Sequence, residues 1–143
     1  MNSYINKFHY DASKYSRSFE VACLVAYWSE GSKYPKMVEI TNSDPKMLEM
    51  FSVFLLHICN IEPAKLKGRL QIHEGNSIEK AKTFWSKLCN VNEKDIIVSN
   101  RKIVDVKNNK HPYGIFSIRY NSVGLKSLLD FKLEELKKVN FKA

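Results

Sequence analysis

Apolar and polar residues alternate along the chain in a pattern that predicts four helices and four strands, in the order α-β-α-β-α-β-β-α. The helices are expected to begin at Ser16 or Ser18, Pro45, Ser77 and Ser122, where capping residues or a first-turn proline precede apolar residues at helical spacing. The strands are expected over residues 36–42, 66–73, 96–106 and 113–120, the last two as a hairpin. Strands interspersed with helices predict an α+β fold with the helices on one face of the sheet.

The length of 143 residues is typical of one domain, and we expect an N-terminal arm over residues 1–15 and a single domain over 16–143. No apolar run approaches the roughly 20 residues of a membrane span, so no membrane partner is expected. The odd number of cysteines, Cys23, Cys59 and Cys89, and their apolar helical contexts indicate buried thiols rather than disulfides or a metal site. The first residues lack a secretory signal, and together these features predict a cytoplasmic protein.

The strand at 66–73 carries the clearest chemical pattern. Leu66, Gly68, Leu70 and Ile72 are expected on one face of the sheet, and the alternating residues on the other face are all hydrogen-bond donors: Lys67, Arg69, Gln71 and His73. Between residues 66 and 75 the only acidic residue is Glu74, so the charge is segregated. The predicted hairpin adds further cations: Arg101, Lys102, Lys107, Lys110 and Arg119.

The net charge of the chain suggests that this strand binds a polyanion. The chain holds 23 Lys and Arg against 15 Asp and Glu, a net charge of +8, which favours polyanionic partners. A cationic strand surface can contact phosphates while guanidinium and amide groups reach base edges in a major groove. The alternative is an ordinary solvated sheet face.

The end of the first predicted helix is a second candidate site. Glu30 lies in the last turn, where the helix dipole disfavours a carboxylate unless a cation lies over the helix end. In the alternative interpretation, Glu30 is simply exposed and Gly31 is a left-handed C-cap. Ala22, Ala26 and Ser29 form a stripe of small residues that would let another helix approach closely, or would pack within the monomer.

Residues 24–31, which read Leu-Val-Ala-Tyr-Trp-Ser-Glu-Gly, resemble a diverged LAGLIDADG motif of homing endonucleases. The resemblance continues through residues 38–45, 72–75, 84–86 and 113–120 in the order that family shows, and it covers about residues 19–138. It implies an antiparallel, saddle-shaped sheet that holds the DNA major groove. The stretch between Gly31 and Val38 is short for the first strand and turn of the family's usual hairpin.

The resemblance further implies a metal-dependent DNA endonuclease, often encoded within an intron. With one motif per chain it would act as a homodimer through Ala22, Val25, Ala26 and Ser29. Glu30 matches the acidic position that binds Mg²⁺, and Gly31 matches the glycine after it at the metal site. No family motif aligns with a basic catalytic residue, so Arg119 and Lys102 are catalytic candidates, with Glu30, only as cations of the predicted hairpin. The expected DNA contacts are Lys33, Lys36, Glu39, Thr41, Lys67, Arg69, Gln71, His73, Arg101, Lys102, Lys107 and Arg119.

Two other functions stay open at this point. A non-cleaving descendant of the same fold would bind double-stranded DNA or RNA as a regulator or an intron-splicing maturase. A protein-interaction domain would use the basic surface to bind an acidic partner. A steep salt dependence would favour nucleic acid, because binding to phosphates releases counterions.

Overall fold

A computed structural model describes residues 8–101 and 111–142 of the chain, with the side chains of Asn100 and Arg101 left out. Its helices and strands, in chain order, are α1 (Arg17–Glu30), β1 (Met37–Asn42), α2 (Pro45–Val53), β2 (Lys67–His73), α3 (Ile78–Cys89), β3 (Ile96–Arg101), β4 (Ile115–Asn121) and α4 (Val123–Leu136). A π-helical turn, Phe54–Ile58, extends α2, and 3₁₀ turns precede β2 and β3. The predicted element order and the α+β class are confirmed.

The four strands form one mixed sheet in the order β1-β4-β2-β3. β4 pairs antiparallel with both β1 and β2, whereas β2 and β3 run parallel. The predicted hairpin of the last two strands and the fully antiparallel sheet were therefore wrong. α3 connects β2 to β3 as a crossover, and such a connection makes consecutive strands parallel, a pairing that alternation alone does not reveal.

One face of the sheet is apolar and buried beneath the helices. Its residues alternate along the strands as predicted and are almost inaccessible to solvent: Val38, Ile40, Leu70, Ile72, Phe116 and Ile118. Gly68 belongs to the same face, and a Cβ atom there would lie 2.4 Å from the Phe116 ring. The opposite face is left open by the part of the chain that the structure describes.

The predicted helix starts are confirmed by their caps. Ser16 Oγ accepts a hydrogen bond from Phe19 N at 3.0 Å, and Asp44 accepts one from Lys46 N before Pro45 begins α2. The hydroxyls of Ser77 and Ser122 cap α3 and α4 in the same way. These caps satisfy backbone N–H groups that a helix leaves unpaired at its start.

The buried face of α1 differs from the one that hydrophobicity suggests. Cys23, Leu24 and Tyr27 face the core, whereas Val25 and Trp28 are 44% and 45% exposed. The small thiol and the tyrosine ring lie inward because Tyr27 stacks on the Phe51 ring, with centroids 5.9 Å apart. The result is an exposed, partly apolar stripe along the helix.

The end of the N-terminal arm packs against the domain. The Phe8 ring contacts the Tyr120 ring edge-on, the Tyr10 ring contacts Phe54, and Asp11 N donates a hydrogen bond to the Ile58 carbonyl at 2.8 Å. The arm therefore covers the end of the α2 segment and one end of β4.

The three cysteines are buried free thiols, as predicted. Burial raises the pKa of Cys23 and of Cys89 to about 12 and raises the pKa of Cys59 well above its usual range. Among the described helices, none combines the length and apolar character needed to cross a membrane.

Candidate nucleic-acid interface

Strand register brings the polar candidates of the open sheet face into rows that run across the sheet. The first row contains Glu39, Arg119 and Lys67; the second contains Thr41, Ser117, Arg69 and Ile97; the third contains Ile115, Gln71 and Ser99. We call this surface the open face. Of the predicted DNA contacts, Glu39, Thr41, Lys67, Arg69, Gln71 and Arg119 are brought together here.

In the first row the cations are paired with carboxylates. Arg119 Nε and Nη2 each lie 2.7 Å from Glu39 Oε2, and Lys67 Nζ lies 3.1 Å from Asp95 Oδ1. The segregation of charge along β2 is therefore reduced in the fold, because β1 and the turn before β3 supply acidic neighbours. Arg119 is held on the sheet by Glu39 rather than pointing freely from it.

In the second row the cation is unpaired. The Arg69 side chain is exposed and makes no ion pair or hydrogen bond with any described residue. The Thr41 and Ser117 hydroxyls are bonded to each other at 2.6 Å. Ile97, the register partner of Arg69, is 65% exposed. Sequence analysis missed Ile97, although the consecutive pair Ile96 and Ile97 requires one of the two to face outward.

A concavity lies at this end of the open face. Its lining includes four cationic side chains and one carboxylate: Lys67, Arg69, Lys94, Arg119 and Asp95. Lys94 was not predicted, because it belongs to a short turn that no periodic pattern marks. Cations therefore outnumber carboxylates in the lining of this concavity.

The other end of the open face is only partly described. His73 is half-buried, and its Nδ1 atom has no hydrogen-bond partner among the described residues. Arg101 lies opposite His73 in register, but its side chain is outside the described part of the chain. The predicted residues Lys102 and Lys107 also lie outside it.

Glu30 ends α1 as predicted, and its carboxylate is exposed with no partner among the described residues. Gly31 is not the left-handed C-cap of the alternative interpretation, since its φ and ψ are −72° and 143°. It is instead required by close approach: an added Cβ would lie 2.3 Å from the Tyr27 carbonyl oxygen. Gly31 also forms a bridge with Ile40, so the first strand of the expected hairpin is reduced to one residue pair.

Lys126 on α4 contacts the residues around the end of α1, and it was not predicted from the sequence. Its Nζ donates hydrogen bonds to the Tyr27 hydroxyl and to the Ser32 carbonyl, the latter at 3.1 Å, and lies 3.5 Å from Asp130. The side chain is buried, although it lies one residue after Leu125 at the margin of the apolar stripe. Lys126 thereby joins α4 to the Tyr27 side chain before Glu30 and to the Ser32 backbone after it.

The predicted dimer stripe of α1 is accessible. Ala22, Val25 and Ser29 are exposed and Ala26 is half-buried. The Ser29 hydroxyl is bonded to the Val25 carbonyl at 3.1 Å, so it has a hydrogen-bond partner within its own helix. The stripe therefore presents a mostly apolar surface. Lys33 and Lys36, the other predicted DNA contacts, are exposed beyond the end of α1.

The described part of the protein offers a single carboxylate at Glu30, so a metal ion there would need most of its ligands from water and substrate. Within residues 8–101 and 111–142, no three His, Cys, Asp or Glu side chains are grouped so that they could hold an ion. Mg²⁺ is often bound by one or two carboxylates, with water and substrate phosphates completing its six ligands. A single exposed carboxylate is compatible with a site of that kind.

No protein-family model matches the chain, and no curated protein or solved structure gives a match either. The LAGLIDADG resemblance therefore depends on the motif residues around Glu30 and on the landmarks that follow them in the sequence.

Proposed function

We propose that this protein binds double-stranded DNA through the open face of its sheet. The observation that supports this most directly is the division of β2, whose inward residues are buried while Lys67, Arg69 and Gln71 lie on the open face. The major groove is about 12 Å wide and admits a two-stranded β-ribbon. Strands β2 and β3 would enter it, and the lysines that flank them, Lys67 and Lys94, would contact phosphates.

A homodimer is part of this proposal. The α1 stripe is exposed, small and largely apolar, and Val25 on it has no packing role within the described monomer that would require it to be apolar. Two such helices could pack closely, and a two-fold axis there would place the open faces of both copies side by side on one duplex. The target would then be a pseudo-palindromic site.

Strand cleavage is a second proposed activity, and the unpaired carboxylate of Glu30 supports it. In the proposed dimer the two Glu30 side chains would lie near the two-fold axis and hold Mg²⁺ together with DNA phosphates. When bound, the ion would stabilise charge on the phosphate and help to generate the attacking hydroxide. Lys126, bonded to the Ser32 carbonyl just after Glu30, would keep the end of α1 in place. Arg119 is proposed as the cationic residue beside the phosphate, because β3, the strand that precedes Lys102, forms the opposite edge of the sheet from β1.

Salt titration of binding tests the first activity. A fluorescent 40-bp duplex of random sequence should bind with an affinity that falls steeply with salt, by a logarithmic slope near −0.9 for each phosphate contact. A duplex RNA of equal length should bind more weakly, because side chains cannot read its deep, narrow major groove. Stronger binding of the RNA would favour the RNA-binding alternative, and binding of neither would leave an acidic protein as the better partner.

The dimer and cleavage proposals are tested separately. Light scattering at tens of micromolar should give a dimer for the wild type and a monomer for Ala26→Arg, whereas a monomeric wild type would contradict the dimer. Supercoiled plasmid should be nicked by the wild type with Mg²⁺ and not by Glu30→Gln. Thermal melts give a second readout, because Mg²⁺ should raise the melting temperature of the wild-type complex with DNA but not that of Glu30→Gln.

A further inference from the structure

We infer that Arg69 and Ile97 together read two neighbouring base pairs of the DNA target, Arg69 contacting a guanine and Ile97 the methyl group of a thymine. The inference rests on the proposed function, since it assumes that the open face enters the major groove. These two contacts would give the open face a preference for a particular DNA sequence.

Pairing distinguishes Arg69 from Lys67 and Arg119, the other cations whose side chains are described on the strands of the open face. Arg119 is held by Glu39 at 2.7 Å and Lys67 lies 3.1 Å from Asp95, so each would have to leave a carboxylate before it could contact a base. Arg69 has no such partner among the described residues, and its guanidinium has the five donors that match guanine O6 and N7 in a bidentate contact.

Exposure distinguishes Ile97 from the other apolar side chains of the sheet. It is 65% exposed, and within the described strands no other large apolar side chain is as accessible. Its neighbour Ile96 is 6% exposed and supplies the core contact that β3 needs. An isoleucine left in water loses hydrophobic stabilisation, and burying it against an apolar group such as the thymine methyl recovers it.

Register places the two side chains together. Arg69 and Ile97 are partners on the adjacent strands β2 and β3, whose backbones lie about 4.8 Å apart. Both side chains line the concavity at that end of the open face. Successive base pairs are stacked about 3.4 Å apart, so two neighbouring side chains can reach two neighbouring base pairs. The expected preference is a guanine adjacent to a thymine.

Selection followed by single-atom changes in the DNA tests this inference. A pool of random 40-bp duplexes would be enriched on wild type, Arg69→Gln and Ile97→Ala, and the enriched sequences compared. The wild-type sequences should share a G next to a T. Arg69→Gln should lose the guanine, with a drop in discrimination of about 5- to 150-fold, and Ile97→Ala should lose the thymine alone.

Uracil in place of the selected thymine removes only the methyl group. This change should weaken the wild type about fourfold and leave Ile97→Ala unaffected. Replacing the guanine by 7-deazaguanine should weaken the wild type and leave Arg69→Gln unaffected. Equal melting temperatures of the three proteins would show that folding is unchanged, and Ile97→Val offers a smaller change should Ile97→Ala prove unstable.

The outcomes separate the inference from the proposed function. Equal sensitivity to uracil in the wild type and Ile97→Ala, or the same enriched sequence for all three proteins, would overturn the inference while DNA binding stood. Failure of the wild type to retain any duplex would overturn both.

Discussion

Gly68 and Arg69 are adjacent in β2, but Gly68 is closely packed in the core and Arg69 is exposed on the open face. A Cβ atom on Gly68 would lie 2.4 Å from Phe116 Cζ, whereas the Arg69 side chain extends into an open concavity. The Phe116 ring cannot easily move, because it stacks on Trp85 with centroids 5.1 Å apart. The buried face of the sheet is thus closely packed around Gly68, and the open face has room for a partner. Stability and recognition should therefore be separable by mutation of neighbouring residues.

The inner face also connects distant parts of the chain. Trp85 Nε1 donates a hydrogen bond to the Tyr113 carbonyl at 2.8 Å, and the Phe84 and Tyr113 rings stack with centroids 4.4 Å apart. These contacts join α3 to the turn before β4. Interlocking of this kind makes a change on the inner face costly, because the surrounding groups have no space into which to relax.

The largest effect is expected for Gly68→Ala. The added methyl overlaps the Phe116 ring, and overpacking of a rigid core costs about 2–3 kcal/mol of the free energy of unfolding. The neighbouring substitution Arg69→Ala should change that free energy by less than about 0.5 kcal/mol, because the side chain is exposed. Urea unfolding of the two variants measures the difference. Equal losses would show that the two faces are not distinct in this way.

Neutralising lysines of the open face should affect DNA binding rather than stability. Lys67→Gln with Lys94→Gln should lower affinity for duplex DNA about tenfold at physiological salt, equally for all sequences, and should reduce the salt slope by about two units. The melting temperature should stay close to that of the wild type. An unchanged salt slope would indicate that these lysines line a solvated surface only.

A charged cluster away from both faces should produce a smaller effect that depends on pH. Burial raises the pKa of Glu20, but hydrogen bonds from Tyr10 and Arg17, each 2.6 Å long, outweigh this and lower it below its ordinary value of 4.5. A depressed pKa in the folded state stabilises the protein above the unfolded-state value, and that stabilisation is lost as pH falls.

Glu20→Gln should therefore cost about 1 kcal/mol at pH 7 and progressively less below pH 4.5, as the wild type loses the same contribution. Thermal melts of both proteins from pH 7 to pH 3 measure the difference between them. A constant difference across that range would contradict the assignment. DNA affinity at pH 7 should not change, since Glu20 lies on neither face of the sheet.

The smallest effect is expected for Glu39→Gln. The Arg119 and Glu39 side chains are 30% and 12% exposed, so the pair is partly screened by solvent, and its loss should lower the free energy of unfolding by at most about 1 kcal/mol. Removing the carboxylate frees Arg119 and deletes a negative charge from the open face, so affinity for duplex DNA should rise about two- to fivefold. A fall in affinity would mean that Glu39 itself contacts the DNA, as the sequence-based assignment has it.

Local structure was largely predictable from the sequence, and strand pairing was not. Alternation along residues 66–73 assigned every side chain of β2 to its correct face, and the caps at Ser16 and Asp44 placed two helices. The position of β4 between β1 and β2 depends on contacts between residues far apart in sequence, which local periodicity does not contain. The inward rotation of Tyr27 on α1 depends likewise on Phe51 and on Lys126 of α4.

In the candidate site, too, local patterns were predictable and contacts between distant residues were not. The donors of β2 were found because they repeat every second residue. The carboxylates that pair with Lys67 of β2 and Arg119 of β4, Asp95 and Glu39, come from other elements, and only the fold brings them together. Lys94 was missed because no repeating pattern surrounds it, and Lys126 was missed because a lysine beside an apolar helical stripe is ordinarily exposed to solvent. Only the fold shows that Lys126 is buried and that Lys94 borders the concavity.

Methyl NMR of isoleucine side chains tests most directly whether the open face binds DNA. The sheet carries isoleucines on both faces: Ile97 and Ile115 outside, Ile72 and Ile118 inside. On titration with a 20-bp duplex, the methyl signals of Ile97 and Ile115 should shift or broaden while those of Ile72 and Ile118 stay in place. Unchanged Ile97 and Ile115 signals under conditions where the duplex is bound, with shifts at the exposed Ile78 of α3 instead, would contradict binding through the open face.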